Sequence, residues 1–173
     1  MLLGSVGTML GAGAQLAILG TGEWGLEEGC RAAAAANPGR VGAHIGFDEG
    51  LARLFYAGAD VIVVPSRFEP CGLAQLAALR YGALPLVAHV GGLVDSVVDA
   101  NEMAVAAGVG TGLHFSPVTQ EMLQATVLRA ATLWRDPALW RRLQANALRS
   151  DVSWTRSAAR YAALYRAMAT DAA

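Results

Sequence analysis

Five short apolar runs, each closed by a glycine, proline or serine turn, constrain this chain more than any other feature. The clearest is Asp60-Val-Ile-Val-Val64, β-branched and apolar throughout and broken by Pro65-Ser66. Gln15-Leu-Ala-Ile-Leu19 ends in Gly20-Thr-Gly22, residues 41–46 form a second run, and residues 84–89 lead into Gly91-Gly92. Leu113-His-Phe115 reads as a last, short strand. Helical patterns lie between them. Residues 23–37 are alanine-rich and stop at Pro38-Gly39; Asp48 caps a short helix to residue 56; residues 71–81 are stopped by Gly82. Strands that are apolar on consecutive positions are covered on both faces. The expected class is therefore α/β, a Rossmann-like parallel sheet with helices on both faces. Residues 94–112 read as irregular, with Asn101 and four glycines between Gly91 and Gly110 as loop markers. Three helices close the chain: one capped by Thr119 and running to residue 134, one opened by Asp136-Pro137, and one over residues 154–168 behind Ser153.

Composition narrows the function. A chain of 173 residues suits one domain, 1–173, with a core over about 1–150 and a terminal helix over 151–170. With 54% hydrophobic and 16% charged residues it is not a disordered chain. A net charge of -1 and a pI near 6.3 argue against a nucleic-acid partner. No apolar run is long enough for a membrane span, and no basic segment precedes an apolar core as in a signal peptide. Cys30 and Cys71 make no disulfide framework, and His44, His89 and His114 are scattered, so a cytoplasmic, metal-free protein is expected. All 13 basic residues are arginine. A phosphate site would have to use arginine, helix ends and backbone amides. The arginines concentrate late: residues 1–117 carry a net of -5 and residues 118–173 a net of +4. Solvated helix faces account for this, or else contact with another domain or an anionic partner. Leu2, Leu3, Val6, Met9 and Leu10 read as the middle of a helix, from which the chain is expected to begin inside a larger protein.

In an open α/β sheet, ligands bind at the carboxyl ends of the strands. Two loops qualify: Pro65-Ser-Arg-Phe-Glu-Pro-Cys-Gly-Leu73 and Val90-Gly-Gly-Leu93. Glycine lets backbone approach a ligand, and free amides at the following helix starts favour an anion. Glu69 either accepts hydrogen bonds from a sugar and stabilises a developing cation, or serves as a negative charge at a helix N-terminus. Arg67 suits a carboxylate or a phosphate. Cys71 has no histidine beside it in sequence and reads as a plain thiol. Gly20-Thr-Gly22 matches a dinucleotide fingerprint only in part and reads as an ordinary turn.

At these residues the chain resembles bacterial glycogen synthases and plant starch synthases, retaining glucosyltransferases that use ADP-glucose. The resemblance rests on Pro65 to Leu73 with Gln75-Leu76, Leu79-Arg-Tyr-Gly82, Leu84-Pro-Leu-Val87 and Gly91-Gly-Leu-Val-Asp95. Leu19-Gly-Thr-Gly-Glu23, Gly46-Phe47, Ala57-Gly-Ala-Asp60, Gly110-Thr-Gly112 and Ser153-Trp154 with Tyr161 and Tyr165 follow in the family's order. It covers almost the whole chain and matches only the C-terminal, nucleotide-sugar-binding half of a GT-B fold. The resemblance implies that Glu69 acts on the glucose beside the reacting carbon. It implies that the backbone of Cys71, Gly72, Leu73 and Ala74 meets sugar and diphosphate, that Phe47 packs on adenine, and that Gly91 and Gly92 line the donor site. It implies no cofactor beyond the substrate, and an α-1,4-glucan acceptor held by an N-terminal domain on which the last helix packs. Alone, such a half is expected to transfer nothing. The alternatives are a stand-alone domain binding a nucleotide or a partner protein, and a transferase using another nucleotide sugar such as UDP-glucose. Ala74 and Val90 stand where the family has threonine, and Ala77 takes the second position of the wider two-glutamate motif.

Overall fold

The computed structural model describes residues 1–171. Its elements follow in the order α1 (Leu2–Gly11), β1 (Leu16–Gly20), α2 (Trp24–Ala36), β2 (Val41–Ile45), α3 (Glu49–Gly58), β3 (Val61–Val64), α4 (Ala74–Tyr81), β4 (Leu84–Ala88), α5 (Gly91–Ser96), α6 (Glu102–Ala107), β5 (Leu113–Phe115), α7 (Gln120–Trp134), α8 (Pro137–Arg149) and α9 (Trp154–Asp171). Helix starts follow local chemistry. The side chains of Asp48, Thr119 and Asp136 each accept hydrogen bonds from backbone amides of the first turn they open. Pro137 takes the first position of α8, where its missing N–H costs nothing. At the other end of α4, Gly82 sits at φ +76°, the left-handed closure that glycine adopts freely.

All strand pairs are parallel. β1 pairs with β2 from Leu16 opposite Val41 to Gly20 opposite Ile45. β3 pairs with β4 from Val61 opposite Leu84, and β4 pairs with β5 from Leu86 opposite Leu113. The class is α/β as expected, but the strands form two ladders, β1-β2 and β3-β4-β5, rather than one. β4 lies in the middle of the second ladder and every residue of it is buried. One face packs Leu86, Ala88, Leu113 and Phe115 against Met9 of α1 and Leu123, Val127 and Ala130 of α7. Elsewhere the core joins Leu79 and Leu84 to Trp140, Leu143 and Ala147 of α8.

The segment 94–112 is not irregular. It holds the end of α5, all of α6, and a parallel bridge between Asp99 and Gly112. Asn101 is a helix cap: its side chain accepts from the amide of Ala104 at 3.0 Å, and Gly108 closes α6 in the left-handed region. The residues that mark a loop in sequence mark the two ends of a short helix here. In α9, Trp154 is 75% and Tyr165 63% exposed, so its large apolar side chains stand uncovered.

Candidate functional site

Adjacent parallel strands end on the same side, so the loops after β3 and β4 are neighbours by construction. The contact between them is close. A Cβ on Gly91 would lie 1.9 Å from the carbonyl oxygen of Glu69, and one on Gly92 would lie 2.7 Å from Cα of Cys71. The amide of Gly92 donates to the Glu69 carbonyl at 3.2 Å. Gly91 has φ +47°, so both its space and its backbone exclude other residues. The structure thus brings Glu69, Cys71, Gly72, Leu73, Ala74, Gly91 and Gly92 onto one shelf at the C-terminal end of the sheet.

Gln75, fully buried at the start of α4, ties this shelf together. Its Nε2 donates to the carbonyls of Cys71 (2.9 Å) and Gly72 (3.1 Å) and to Ser96 Oγ (3.2 Å). Ser96 Oγ in turn donates to the Gly92 carbonyl at 2.7 Å. Both loops therefore hang on one amide side chain and one hydroxyl. In sequence Gln75 is only part of a motif. Its role depends on Ser96, 21 positions away, and no local pattern encodes that.

Glu69 is half-buried, and its Oε2 accepts from Ser66 Oγ at 3.4 Å, a short-range contact within its own loop. Arg67 is exposed and forms no ion pair with Glu69. Leu73 is 77% exposed and opens α4 with no side-chain cap. The amides of Ala74 and Gln75 therefore begin a helix with no side-chain acceptor, where N–H groups favour negative charge. Phe47 is 93% exposed on the connection from β2 to α3, and it belongs to the other ladder.

Two of the histidines that sequence spacing leaves apart meet beside this shelf. His89, directly after β4, has its Nδ1 3.1 Å from Nδ1 of His114. His114 Nε2 lies 2.9 Å from the carbonyl of Val97 and acts as the donor there, which leaves its Nδ1 as an acceptor. Burial pushes the His114 pKa below its ordinary value; the Val97 carbonyl and Asp99 oppose that shift. Asp99 accepts from the His114 amide at 2.7 Å and pairs with Arg129 at 2.5 Å, fixing the outer edge of β5 to α7. Among the described residues, no group of three or more histidine, cysteine or acidic side chains is placed to hold a metal ion, and no helix is long and apolar enough to cross a membrane.

Residues 8–148 match the sequence model of glycosyl transferases group 1. The chain is 60% identical over 166 residues to a glycogen synthase of Rhodopseudomonas palustris (strain HaA2), covering 96% of this chain and 34% of that protein. It is likewise 60% identical over 156 residues to a glycogen synthase of Acidiphilium cryptum (strain JF-5), covering 90% of this chain and 33% of that one. In fold it is similar to the catalytic domain of starch synthase IV from Arabidopsis thaliana bound to ADP and acarbose. That likeness has a TM-score of 0.81 at 27% identity and covers 95% of this chain and 34% of the other. The chain spans about a third of the length of the curated relatives it matches.

Proposed function

Since the chain belongs to the glycosyl transferases group 1 family, we propose that it is the donor-binding half of a retaining glucosyltransferase that extends α-1,4-glucan from ADP-glucose. The observation that carries this reading is the shelf itself. A half-buried carboxylate, Glu69, stands on the same short loop as the uncapped start of α4, a few residues before the amides that would meet a diphosphate. Glu69 accepts hydrogen bonds from the glucose and stabilises the cationic charge that develops at its anomeric carbon. The amides of Cys71, Gly72, Leu73 and Ala74 receive the leaving diphosphate, and the open face of Phe47 stacks on the base. Gly91 and Gly92 hold this loop at its working depth. The acceptor glucan and the groups that bind it belong to an N-terminal domain, and α9 packs on that domain with its uncovered apolar side chains. The reading is supported by the glycogen synthases that match nearly the whole chain and by a similar starch synthase bound to ADP. It places the protein in the cytoplasm, with no metal or organic cofactor, because the donor carries its own activated bond.

Calorimetry with ADP, UDP and ADP-glucose tests it. We expect ADP to bind more tightly than UDP, and Glu69→Ala to weaken ADP-glucose about tenfold while leaving ADP within about twofold, the scale of one charged hydrogen bond. Equal losses for ADP and ADP-glucose would remove Glu69 from the sugar. Glucan elongation by this chain alone would overturn the assignment of only half an active site to it.

A further inference from the structure

The two ladders end at facing edges that nothing protects. Leu16 donates its amide to Arg40 at 2.8 Å, so Leu16, Ile18 and Gly20 turn their backbone groups toward β2, and Ala17 and Leu19 turn theirs away. Leu84 donates to Asp60 at 2.9 Å, so Asp60, Ile62 and Val64 turn toward β4, and Val61 and Val63 turn away. β1 and β3 exchange no ladder bonds. Yet α1 covers both: Met9 packs in one cluster with Leu86 and Leu113 of the second ladder, and Leu16, Val61 and Val63 pack against that same cluster. Gln120 and Gln124 of α7 hold α1 there through the Gly4 carbonyl, at 3.2 and 3.0 Å.

Edge strands are normally blunted by charge, proline or a bulge. The outer edge of β5 is blunted in this way, with Asp99 on the His114 amide and Arg129 on Asp99. The inner edges of β1 and β3 carry only alanine, leucine and valine. Unpaired amides and carbonyls on such apolar strands are costly unless a partner takes them. Doubly wound sheets commonly run in the order 3-2-1-4-5-6, and β2, β1, β3, β4 and β5 fill every place in that order except the third.

We infer that the slot between β1 and β3 takes one extended apolar segment, parallel to both and joined to the N-terminal end of α1. The connection fixes the choice of occupant. A strand in that slot, followed by α1 and then β1, makes the right-handed crossover that parallel neighbours adopt almost without exception. Roughly two thirds of the length of the matching glycogen synthases has no counterpart in this chain, so their remainder is long enough to supply it. The segment matches β1 and β3 in length and is apolar on consecutive positions, since the slot has helices on both sides. It joins the two ladders into one sheet and fixes Phe47, on the first ladder, relative to Glu69, on the second. The inference stands on the sheet alone and does not depend on the donor.

Residue-resolved amide exchange tests it in three chains: this one, one extended ahead of Met1 by Val-Ile-Val-Val and a short Gly-Asn-Gly loop, and one whose extension has proline at alternate strand positions. In the unextended chain, the amides of Ala17, Leu19, Val61 and Val63 are expected to exchange about a hundredfold faster than those of Ile18 and Ile62. The first extension slows those four about a hundredfold, and the proline extension does not. If the unextended chain protects no amide at all, the contrast between the two extensions decides alone. Equal effects of the two extensions, or no effect of either, would overturn the inference. Protection of the four amides already present in the unextended monomer would mean that the slot is closed. Protection that appears with dimer formation in sedimentation would give the slot to a second copy. Either result overturns the inference.

Discussion

Adding one methyl group at four glycines separates three physical effects, and the junction of the two loops is where they add up. Gly7 lies exposed within α1, and a Cβ there would have no atom within 4 Å, so Gly7→Ala should stabilise the chain by about 0.5–1 kcal/mol through helix propensity alone. Gly108 has φ +72° and equally open space, so Gly108→Ala should cost about 1–2 kcal/mol for the left-handed backbone alone. Gly92 has no positive φ but would bring its Cβ within 2.8 Å of the Cys71 carbonyl oxygen, which isolates the packing cost at about 1–3 kcal/mol. Gly91 combines both, with φ +47° and a Cβ 1.9 Å from the Glu69 carbonyl oxygen. Backbone on backbone has no side-chain freedom with which to give way, so the loop itself must move. Gly91→Ala should therefore cost about 2–5 kcal/mol, clearly more than Gly108→Ala, and should also weaken ADP binding. Urea denaturation followed by circular dichroism gives the four values. If Gly91→Ala proves no worse than Gly108→Ala, the loops do not touch as described and do not form one continuous shelf.

Gln75→Leu keeps the volume but leaves the Cys71 and Gly72 carbonyls without their donor; we expect a loss of about 1–3 kcal/mol in the same denaturation assay. Gln75→Glu should cost more, because a buried carboxylate would face those two carbonyls, and a Glu variant as stable as the parent would refute the tie. The depressed pKa of His114 means that the unfolded chain takes up this proton more readily than the folded one. Stability should therefore be full above the ordinary value of 6.5 and fall as pH drops below it. Comparing denaturation midpoints on either side of that value for the parent and His114→Leu checks this: the variant should lose part of the acid sensitivity, and an unchanged slope would clear His114 of the effect.

What the sequence made legible was local. Continuous β-branched runs announce strands buried on both faces, and Asp48, Thr119 and Asp136 announce helix starts, because in each case the residues that decide the outcome are neighbours in the chain. That the loops after β3 and β4 lie together follows from one further step, the parallel pairing of consecutive strands. The rest depends on distant partners. Periodicity says that β1 and β3 are strands but not that they fail to pair, since pairing is a property of the whole sheet. Asn101 and Gly108 read as punctuation for a loop, and only the intervening amide contacts reveal a six-residue helix between them. The meeting of His89 with His114 and of Gln75 with Ser96 spans 25 and 21 positions, and no spacing rule reaches that far.

The glycines of the second loop show why the distinction matters for function. In sequence, Gly91-Gly92 reads as room for a ligand. In the fold, the positions their side chains would take are filled by the backbone of Glu69, Pro70 and Cys71. A structural requirement is thus sufficient to demand glycine at both positions, whatever binds nearby. Those two glycines therefore say little about a ligand and much about the depth at which Glu69 is held. The sign of an anion site comes instead from α4, which opens without a side-chain cap on an exposed leucine, a place where the orphan amides of a helix start go unanswered by the chain itself. Positioning belongs to the glycines and to Gln75, recognition to the helix start and to the carboxylate. Separating the two makes the Gly91 series and the Glu69 calorimetry independent tests: the first can succeed on stability while the second fails on sugar, and only the second speaks to chemistry.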